Sequence, residues 1–436
     1  MTLHGSARYS SSMPLMPFAP CLERCSRAVW HRCCRLQQAG LLALGLVLAG
    51  CGTLPRNAPP AQLVLDATVP NFPNVRAWAG KPNLALETDL AASFAQESKT
   101  DFPAGPDGVV HYSHLALSGG GANGAFGAGF LNGWTSKGNR PVFKIVTGVS
   151  TGALMAPFAF VGTDYDEALR LFYTTTSTRD IFVLGSMFTL MRQVLSGEAL
   201  ADTRPLQAMI ARHVDDALLA RVAEAHRNGR RLYIGTANID APRFIVWNMG
   251  LIANSGRPDA LDLFRKVMLA SASIPVAFPP VLFEVEIAPG GPRYDEMHVD
   301  GGVGARVFLN GGVFDGSMVR RRGGHGGVGK EDIFVIHNGQ LIPQPDPIRR
   351  SLTEISVRVI DASGRTAALG DLFRIHAYAL QEGASFRWVT IPDDVPMGGD
   401  EVFDPAQMRS LYDFGYRKGA GGGDWLTQPP GGRREP

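Results

Sequence analysis

Two consecutive segments of the chain follow the same plan, in which a short apolar run leads into a glycine-rich turn and then into a run of small and apolar residues. The first, from His114, reads HLALSGGGANGAFGAGFLNGW, and the second, from Pro141, reads PVFKIVTGVSTGALMAPFAFVG. Each pattern is typical of a buried strand followed by a sharp turn and a helix. Because such units alternate over about 200 residues, the sequence predicts an α/β fold with a largely parallel sheet.

The composition is that of an ordinary globular protein and shows no sign of nucleic-acid binding. Apolar residues make up 45% of the 436 residues, charged residues make up 19%, and the formal net charge is +2. A nucleic-acid-binding domain normally carries clustered basic residues on a strongly basic surface. The short basic run RRRGGHGG at 320–327 is diluted by glycine. We interpret it as a flexible loop and expect no nucleic-acid partner.

The first 51 residues have the pattern of an export signal. Arginines precede the apolar run AGLLALGLVLAG, which is too short to span a ~30 Å hydrocarbon core and has the length of a signal core. The run ends in Leu48-Ala49-Gly50-Cys51, which resembles the lipobox of bacterial lipoproteins. That resemblance implies a leader at 1–50 and a lipid anchor on Cys51. Gly52, rather than Asp, follows the cysteine, which implies an outer-membrane protein of the cell envelope that faces the periplasm or the surface.

The remaining chain divides by composition into further parts. Residues 51–112 are rich in Pro, Ala, Asn and Gly, which predicts a lipid-anchored tether and N-terminal extension. The strand–turn–helix units lie in a predicted domain at 113–310. A glycine-rich loop at 311–330, a C-terminal part at 331–420 packed on that domain and a disordered tail at 421–436 are predicted to follow.

The second glycine turn, TGVSTG at 147–152, places one serine between two glycines at a strand-to-helix junction. This is the G-x-S-x-G pattern of a nucleophile elbow, in which the glycines allow the backbone to reverse so sharply that the serine oxygen is exposed. Ser150 is therefore the candidate nucleophile. Because a serine is a poor nucleophile at its own pKa, it needs a neighbouring base.

The first glycine turn has two interpretations. A dinucleotide-binding pattern can be drawn through Gly119, Gly121 and Gly124, but no strand that ends in an acidic residue follows about 20 residues later, as such sites require. A glycine loop that precedes a nucleophile elbow instead suits acyl transfer. Its N–H groups can approach the developing oxyanion and stabilise it by ~3 kcal/mol per donor. We predict that Gly119, Gly120 and Gly121 are these donors.

Two residues are candidates for the base. His337 follows the strand-like run DIFVI and would complete a Ser–Asp–His triad. Asp300 ends a short strand pattern and is followed by Gly301-Gly302, which leaves its carboxylate in a tight turn with room for a neighbouring chain. His298 lies on the same strand face as Asp300, and we expect it to pack or to form hydrogen bonds.

The glycine loop, the GVSTG elbow, the segment ASASIPVAFPPV at 270–281 and DGG at 300–302 occur in an order that resembles the patatin-like phospholipase family, over roughly residues 113–310. The resemblance implies a three-layer α/β/α fold with a largely parallel central sheet. It also implies hydrolysis of the acyl esters of lipids through an acyl-enzyme, with neither a cofactor nor a metal. The proline-containing segment would form a wall near the nucleophile.

The resemblance also implies roles for individual residues. The family uses a Ser–Asp dyad without histidine, so Ser150 would be the nucleophile and Asp300 the base. Gly119 to Gly121, with Gly124, would form the oxyanion loop. One residue departs from the family, since Asn123 stands where members commonly carry Arg or Lys, and this weakens the case for a phospholipid head group.

Two alternatives to the dyad enzyme remain open from the sequence. The first is an ordinary esterase that uses His337 in a triad with Ser150. The second is a non-catalytic lipoprotein that uses the same scaffold to bind a lipid or a protein partner.

Overall fold

The computed structural model describes residues 55–181, 183–184, 201–322, 329–342, 345–398 and 401–431. The predicted leader and the predicted anchor Cys51 lie outside these ranges. The strands are β1 (Arg76–Trp78), β2 (Val110–Leu117), β3 (Phe143–Val149), β4 (Val183–Leu184), β5 (Ala201–Asp202), β6 (Arg231–Asn238), β7 (Arg243–Asn248), β8 (Val281–Glu286), β9 (Arg293–Asp300), β10 (Gly329–His337) and β11 (Ser385–Thr390).

The helices in the described ranges vary from one turn to 31 residues in length. They are α1 (Leu84–Ala95), α2 (Gly124–Ser136), α3 (Thr151–Val161), α4 (Asp166–Thr174), α5 (Thr178–Ile181), α6 (Arg204–His213), α7 (Asp216–Arg227), α8 (Met249–Ala253), α9 (Ala260–Ser271), α10 (Gly316–Arg322), α11 (Leu352–Glu382) and α12 (Pro405–Gly421). Within the described ranges, none of them combines the length and the apolar character that a bilayer span requires.

The central sheet has nine strands and a parallel centre. Strands β11, β10, β2, β3 and β6 lie side by side in that order, and all four contacts between them are parallel. Strands β7 and then β1 extend the sheet beyond β6 in antiparallel pairing. On its other edge, β6 pairs with β3 through residues 231–235 and with β9 through residues 236–238. Strand β9 therefore pairs with the same edge of β6, beginning where the pairing with β3 ends.

Both faces of the sheet are buried under helices. In β2, Leu115 and Leu117 belong to the core cluster that includes side chains of α2, α3 and α12, whereas the intervening Ala116 packs with Leu372 and Ile375 of α11. Alternate residues of a strand point to opposite faces. The predicted α/β/α fold with a central sheet is therefore confirmed.

Three segments that composition marked as linkers are packed into this fold. In the predicted tether, β1 joins the sheet and Leu86 of α1 is fully buried. Helix α10 lies within the predicted glycine-rich loop. In the predicted disordered tail, Trp425 packs against Trp134 and Phe334 with ring centroids 5.0 and 5.1 Å apart. Residues 421–431 thus differ from the predicted disordered tail, because this partly buried aromatic residue packs against the domain.

Candidate active site

Ser150 is the single residue between the end of β3 and the start of α3. Its backbone has φ 55° and ψ −126°, a conformation that residues other than glycine rarely adopt. A Cβ at Gly148 would overlap the carbonyl group of Gly152, and a Cβ at Gly152 would overlap the carbonyl group of Leu117. The two glycines of the G-x-S-x-G pattern are therefore required by the close approach of the backbone, and the sheet and the helix hold the serine in the strained turn.

The carboxylate of Asp300 lies beside the Ser150 hydroxyl. Ser150 Oγ donates a hydrogen bond of 2.6 Å to Asp300 Oδ2, and the Gly302 N–H donates one of 2.7 Å to Asp300 Oδ1. Asp300 is the last residue of β9 and pairs with Thr236 of β6, one position beyond the last residue that pairs with β3. This register brings together two side chains that are 150 residues apart in the sequence.

Both of these side chains are buried, with 4% of Ser150 and 3% of Asp300 exposed. Burial raises the pKa of the Asp300 carboxyl above its ordinary value, and this effect exceeds the opposing effects of the Ser150 hydroxyl, the Arg306 cation and the Gly302 N–H. A carboxylate with a raised pKa is a stronger base than an exposed one. The arrangement is therefore suited to removing a proton from Ser150.

Two buried serines that no sequence motif marked as functional lie next to the site and hold its backbone. The Ser150 N–H donates to Ser271 Oγ at 3.0 Å, and the Ser271 hydroxyl donates to the Gly235 carbonyl at 2.6 Å. The Asp300 N–H donates to the Ser273 carbonyl at 2.8 Å. Both serines lie in the ASAS stretch at the end of α9, where polar residues among small apolar ones were the available signal.

The glycine loop lies at the start of α2, and its N–H groups differ in availability. The Gly119 N–H donates to the Arg306 carbonyl at 3.0 Å, and the Gly124 N–H bonds within the loop. These two groups are therefore already bonded, which corrects the prediction that Gly119 is a free donor. The N–H groups of Gly120 and Gly121 have no hydrogen-bond acceptor among the described residues. They remain available to an oxyanion, and they lie near the favourable N-terminal end of a helix.

His337 is not placed as a triad base. Its Nδ1 is hydrogen-bonded to Thr390 Oγ1 at 3.0 Å, and the Ser150 hydroxyl bonds to Asp300. Burial, and then the nearby Arg306 cation, lower the pKa of His337 to about 3, so its ring is neutral at pH 7. Among the described residues, the hydrogen bond that a Ser–His–Asp triad requires is not formed.

His298 belongs to a buried polar network below the site. Its Nδ1 is hydrogen-bonded to Thr236 Oγ1 and its Nε2 to Glu296 Oε1, each at 2.9 Å. Glu296 in turn forms an ion pair of 2.8 Å with Arg76 of β1. The prediction that His298 packs and forms hydrogen bonds is confirmed. Within the described ranges, no group of three or more His, Cys, Asp or Glu residues could hold a metal ion.

An apolar cavity of about 30 Å³ borders Ser150. Its lining comes from the elbow, α3, α4, α12 and the proline-containing segment, and none of the described lining residues is charged. The lining favours hydrocarbon over polar groups, but the volume is far below the roughly 300 Å³ or more of a ligand pocket, so an acyl chain enters only if the lining side chains move. The apolar side chains that line the cavity include Leu154, Phe172, Ile274, Phe278 and Met408.

Comparisons with known proteins found one family and several solved structures to which the chain is similar. The family described as patatin-like phospholipase matches residues 115–310. Among solved structures, the chain is similar to VipD from Legionella pneumophila, with 12% identity, a TM-score of 0.35 and coverage of 73% of this chain and 69% of that chain. It is also similar to the type III effector protein ExoU, with 15% identity and a TM-score of 0.30, over 72% of this chain and 53% of that one. This chain thus spans about half the length of ExoU. No curated protein matches the sequence.

Proposed function

Because the chain carries a patatin-like phospholipase domain over residues 115–310, we propose that it hydrolyses acyl esters of lipids with Ser150 as nucleophile and Asp300 as general base. The observation that carries the proposal is the 2.6 Å hydrogen bond from the Ser150 hydroxyl to the buried Asp300 carboxylate. The uncharged, apolar lining of the cavity beside Ser150 supports the hydrocarbon part of a lipid as the group that packs there once the lining side chains move.

In the first half-reaction, Ser150 Oγ attacks the carbonyl carbon of the ester while its proton passes to Asp300 Oδ2, which already accepts its hydrogen bond. Negative charge develops on the carbonyl oxygen, and the free N–H groups of Gly120 and Gly121 can stabilise it. The intermediate then collapses as the bond to the alcohol oxygen breaks. Asp300 returns the proton to that oxygen, and the acyl group remains as an ester on Ser150.

In the second half-reaction, a water molecule gives a proton to Asp300 while its oxygen attacks the acyl carbon. Collapse of this second intermediate breaks the bond to Ser150 Oγ and releases the fatty acid. The proton on Asp300 returns to Ser150 Oγ, which restores the starting state. One residue thus serves as base and then as acid in each half, so the cycle does not require a histidine.

A fluorophosphonate probe tests the nucleophile directly, because it forms a covalent bond only with an activated serine. The wild-type protein should be labelled, and Ser150→Ala should not be. Ser136→Ala is a suitable control, since that hydroxyl bonds to the Gly133 carbonyl within α2 and lies outside the site. A wild-type protein that is folded but not labelled would contradict the proposal and would favour a non-catalytic, lipid-binding role.

The location of the enzyme is part of the same proposal. The sequence Leu48-Ala49-Gly50-Cys51 supports a lipid anchor, and Gly52 supports sorting to the outer membrane of the cell envelope. An anchored enzyme would work on lipids of the membrane to which it is attached.

A further inference from the structure

The guanidinium group of Arg306 lies near the glycine loop, the Asp300 turn and Gly364 of α11, where an added methyl group would lie 3.0 Å from Arg306 Nη1. A methyl group added at Gly302 would lie 3.1 Å from Arg306 Nη1 and 2.9 Å from Asp300 Oδ1. One added at Gly119 would lie 3.6 Å from Arg306 Nε and 3.1 Å from Ser150 Cβ. The cation is therefore a near neighbour of both the nucleophile and the base.

The backbone of Arg306 is fixed, whereas its side chain has no bonding partner in the described structure. The Arg306 N–H donates to Asp371 Oδ2 at 2.7 Å, and its carbonyl accepts from the Gly119 N–H at 3.0 Å. No described residue accepts a hydrogen bond from its guanidinium or forms an ion pair with it. By contrast, the buried guanidinium of Arg76 is paired with Glu296. Arg306 is half-buried and so keeps its donors for an anion from outside the chain.

The glycine loop itself brings no positive charge to the site. Its residues from Ser118 to Gly129 are uncharged, and the Asn123 side chain makes no hydrogen bond with a described residue. Asn123 alone predicts weak recognition of phosphate. Arg306 comes from a different segment, six residues after Asp300, and supplies a cation that can bind phosphate oxygens through two parallel hydrogen bonds.

We propose that Arg306 binds the phosphate of the substrate head group and so makes the enzyme select phospholipids over neutral glycerides. This inference rests on the proposed hydrolase function. In a glycerophospholipid the phosphate is only a few bonds from the ester on the neighbouring glycerol carbon. An ester carbonyl at Ser150 therefore places the phosphate within reach of a guanidinium that lies beside the same serine.

The test compares phosphatidylglycerol with a diacylglycerol that has the same acyl chains, both in one neutral detergent. The measured quantity is the ratio of kcat/KM on the phospholipid to kcat/KM on the glyceride. Arg306→Gln should lower this ratio about tenfold, since a hydrogen bond to a charged group is lost. Arg306→Lys should lower the ratio less than Arg306→Gln does. Arg221→Gln removes the same charge from an exposed position on α7 and should leave the ratio as it is.

Inorganic phosphate distinguishes a head group from a free anion. The proposal predicts that phosphate inhibits wild-type diacylglycerol hydrolysis competitively, that Arg306→Gln weakens this inhibition, and that the same variant lowers the lipid ratio. If the inhibition is lost while the lipid ratio stays at its wild-type value, Arg306 binds a free anion and not the head group.

Two further outcomes would overturn the assignment of Arg306. One is an unchanged ratio in Arg306→Gln while the probe still labels Ser150, which leaves the hydrolase proposal intact. The other is an equal loss on both lipids with an upward shift of the acid limb of the pH profile, which would mean that Arg306 acts only through the pKa of Asp300. A wild-type protein without ester hydrolysis and without labelling would instead refute the proposed function itself.

Discussion

Burial sets the chemistry of the Ser150–Asp300 pair. The carboxylate is almost completely removed from solvent, which raises its pKa, and it retains hydrogen bonds from the Ser150 hydroxyl and the Gly302 N–H. The raised pKa lowers the stability of the ionised form but increases its strength as a base. The site therefore exchanges some folding stability for reactivity, as catalytic sites commonly do.

The first prediction concerns the pH dependence of this carboxylate. Because Asp300 must be ionised to accept a proton, kcat/KM should fall on acidification. The midpoint of this fall should lie above the ordinary aspartate pKa of 3.8. The measurement uses a neutral, water-soluble ester, with circular dichroism to show that the fold persists at each pH. A limb at or below 3.8 would show that burial does not raise the pKa. If the acid limb disappears in His337→Ala, the titrating base is His337 rather than Asp300.

At the scale of secondary-structure elements, the end of α9 connects the nucleophile to the sheet. The Ser271 hydroxyl accepts from the Ser150 N–H and donates to the Gly235 carbonyl of β6. Both of these backbone groups are buried, so they have no ready access to water as a substitute partner. A single hydroxyl group thus holds the strained elbow against the neighbouring strand.

Ser271→Ala should therefore lower the free energy of unfolding by about 1–3 kcal/mol and should also lower kcat, because two buried backbone groups lose their partner. Ser273→Ala is the matched control. Its hydroxyl bonds only to the Leu269 carbonyl in the last turn of α9, while its backbone carbonyl, which holds Asp300, is unaffected. Denaturant unfolding and steady-state kinetics of both variants provide the measurement. Equal effects in the two variants would mean that the bridge from Ser150 to β6 has no special role.

The sequence predicted the site residues whose chemistry is local and missed those that depend on tertiary contacts. The glycines around Ser150 and after Asp300 are recognisable as sequence motifs, because a sharp turn requires glycine whatever its tertiary contacts. The role of Ser271 depends on where the end of α9 meets β6, and that of Arg306 depends on where the chain runs after β9 pairs with β6, and no local pattern reveals either. For the same reason the parallel centre of the sheet was predicted, but the antiparallel strands at its edge were not.

At the scale of the whole molecule, the segments at both ends of the described chain belong to the folded structure. Strand β1 pairs with β7, and Arg76 within it forms the ion pair with Glu296 below the site. Near the other end, Trp425 packs on α2 through Trp134. Composition alone could not predict this packing, since proline and glycine are frequent in both segments and the few aromatic and apolar residues that become buried are sparse. A tether that leads from the proposed anchor would therefore join the enzyme before β1.

The anchor proposal predicts the effect of changing Cys51. Cys51→Ser should abolish incorporation of labelled fatty acid and leave the unprocessed precursor, because the thiol is the proposed site of lipid attachment. Metabolic labelling with a palmitate analogue and the mobility of the protein on gels provide the readout. The variant domain should still react with the fluorophosphonate probe. A Cys51→Ser protein that is processed and lipidated like the wild type would refute the anchor.

We propose that Asp300 activates Ser150 without the help of a histidine. The most direct test compares the turnover rate of Asp300→Asn with that of His337→Ala. Asp300→Asn should lose nearly all turnover of a lipid ester. It should remain folded at neutral pH, because the ionised, buried carboxylate lowers stability there and the amide does not. His337→Ala should keep most of the activity, since its imidazole bonds to Thr390. A loss of about 10³-fold or more in a folded His337→Ala, with activity retained in Asp300→Asn, would contradict the account.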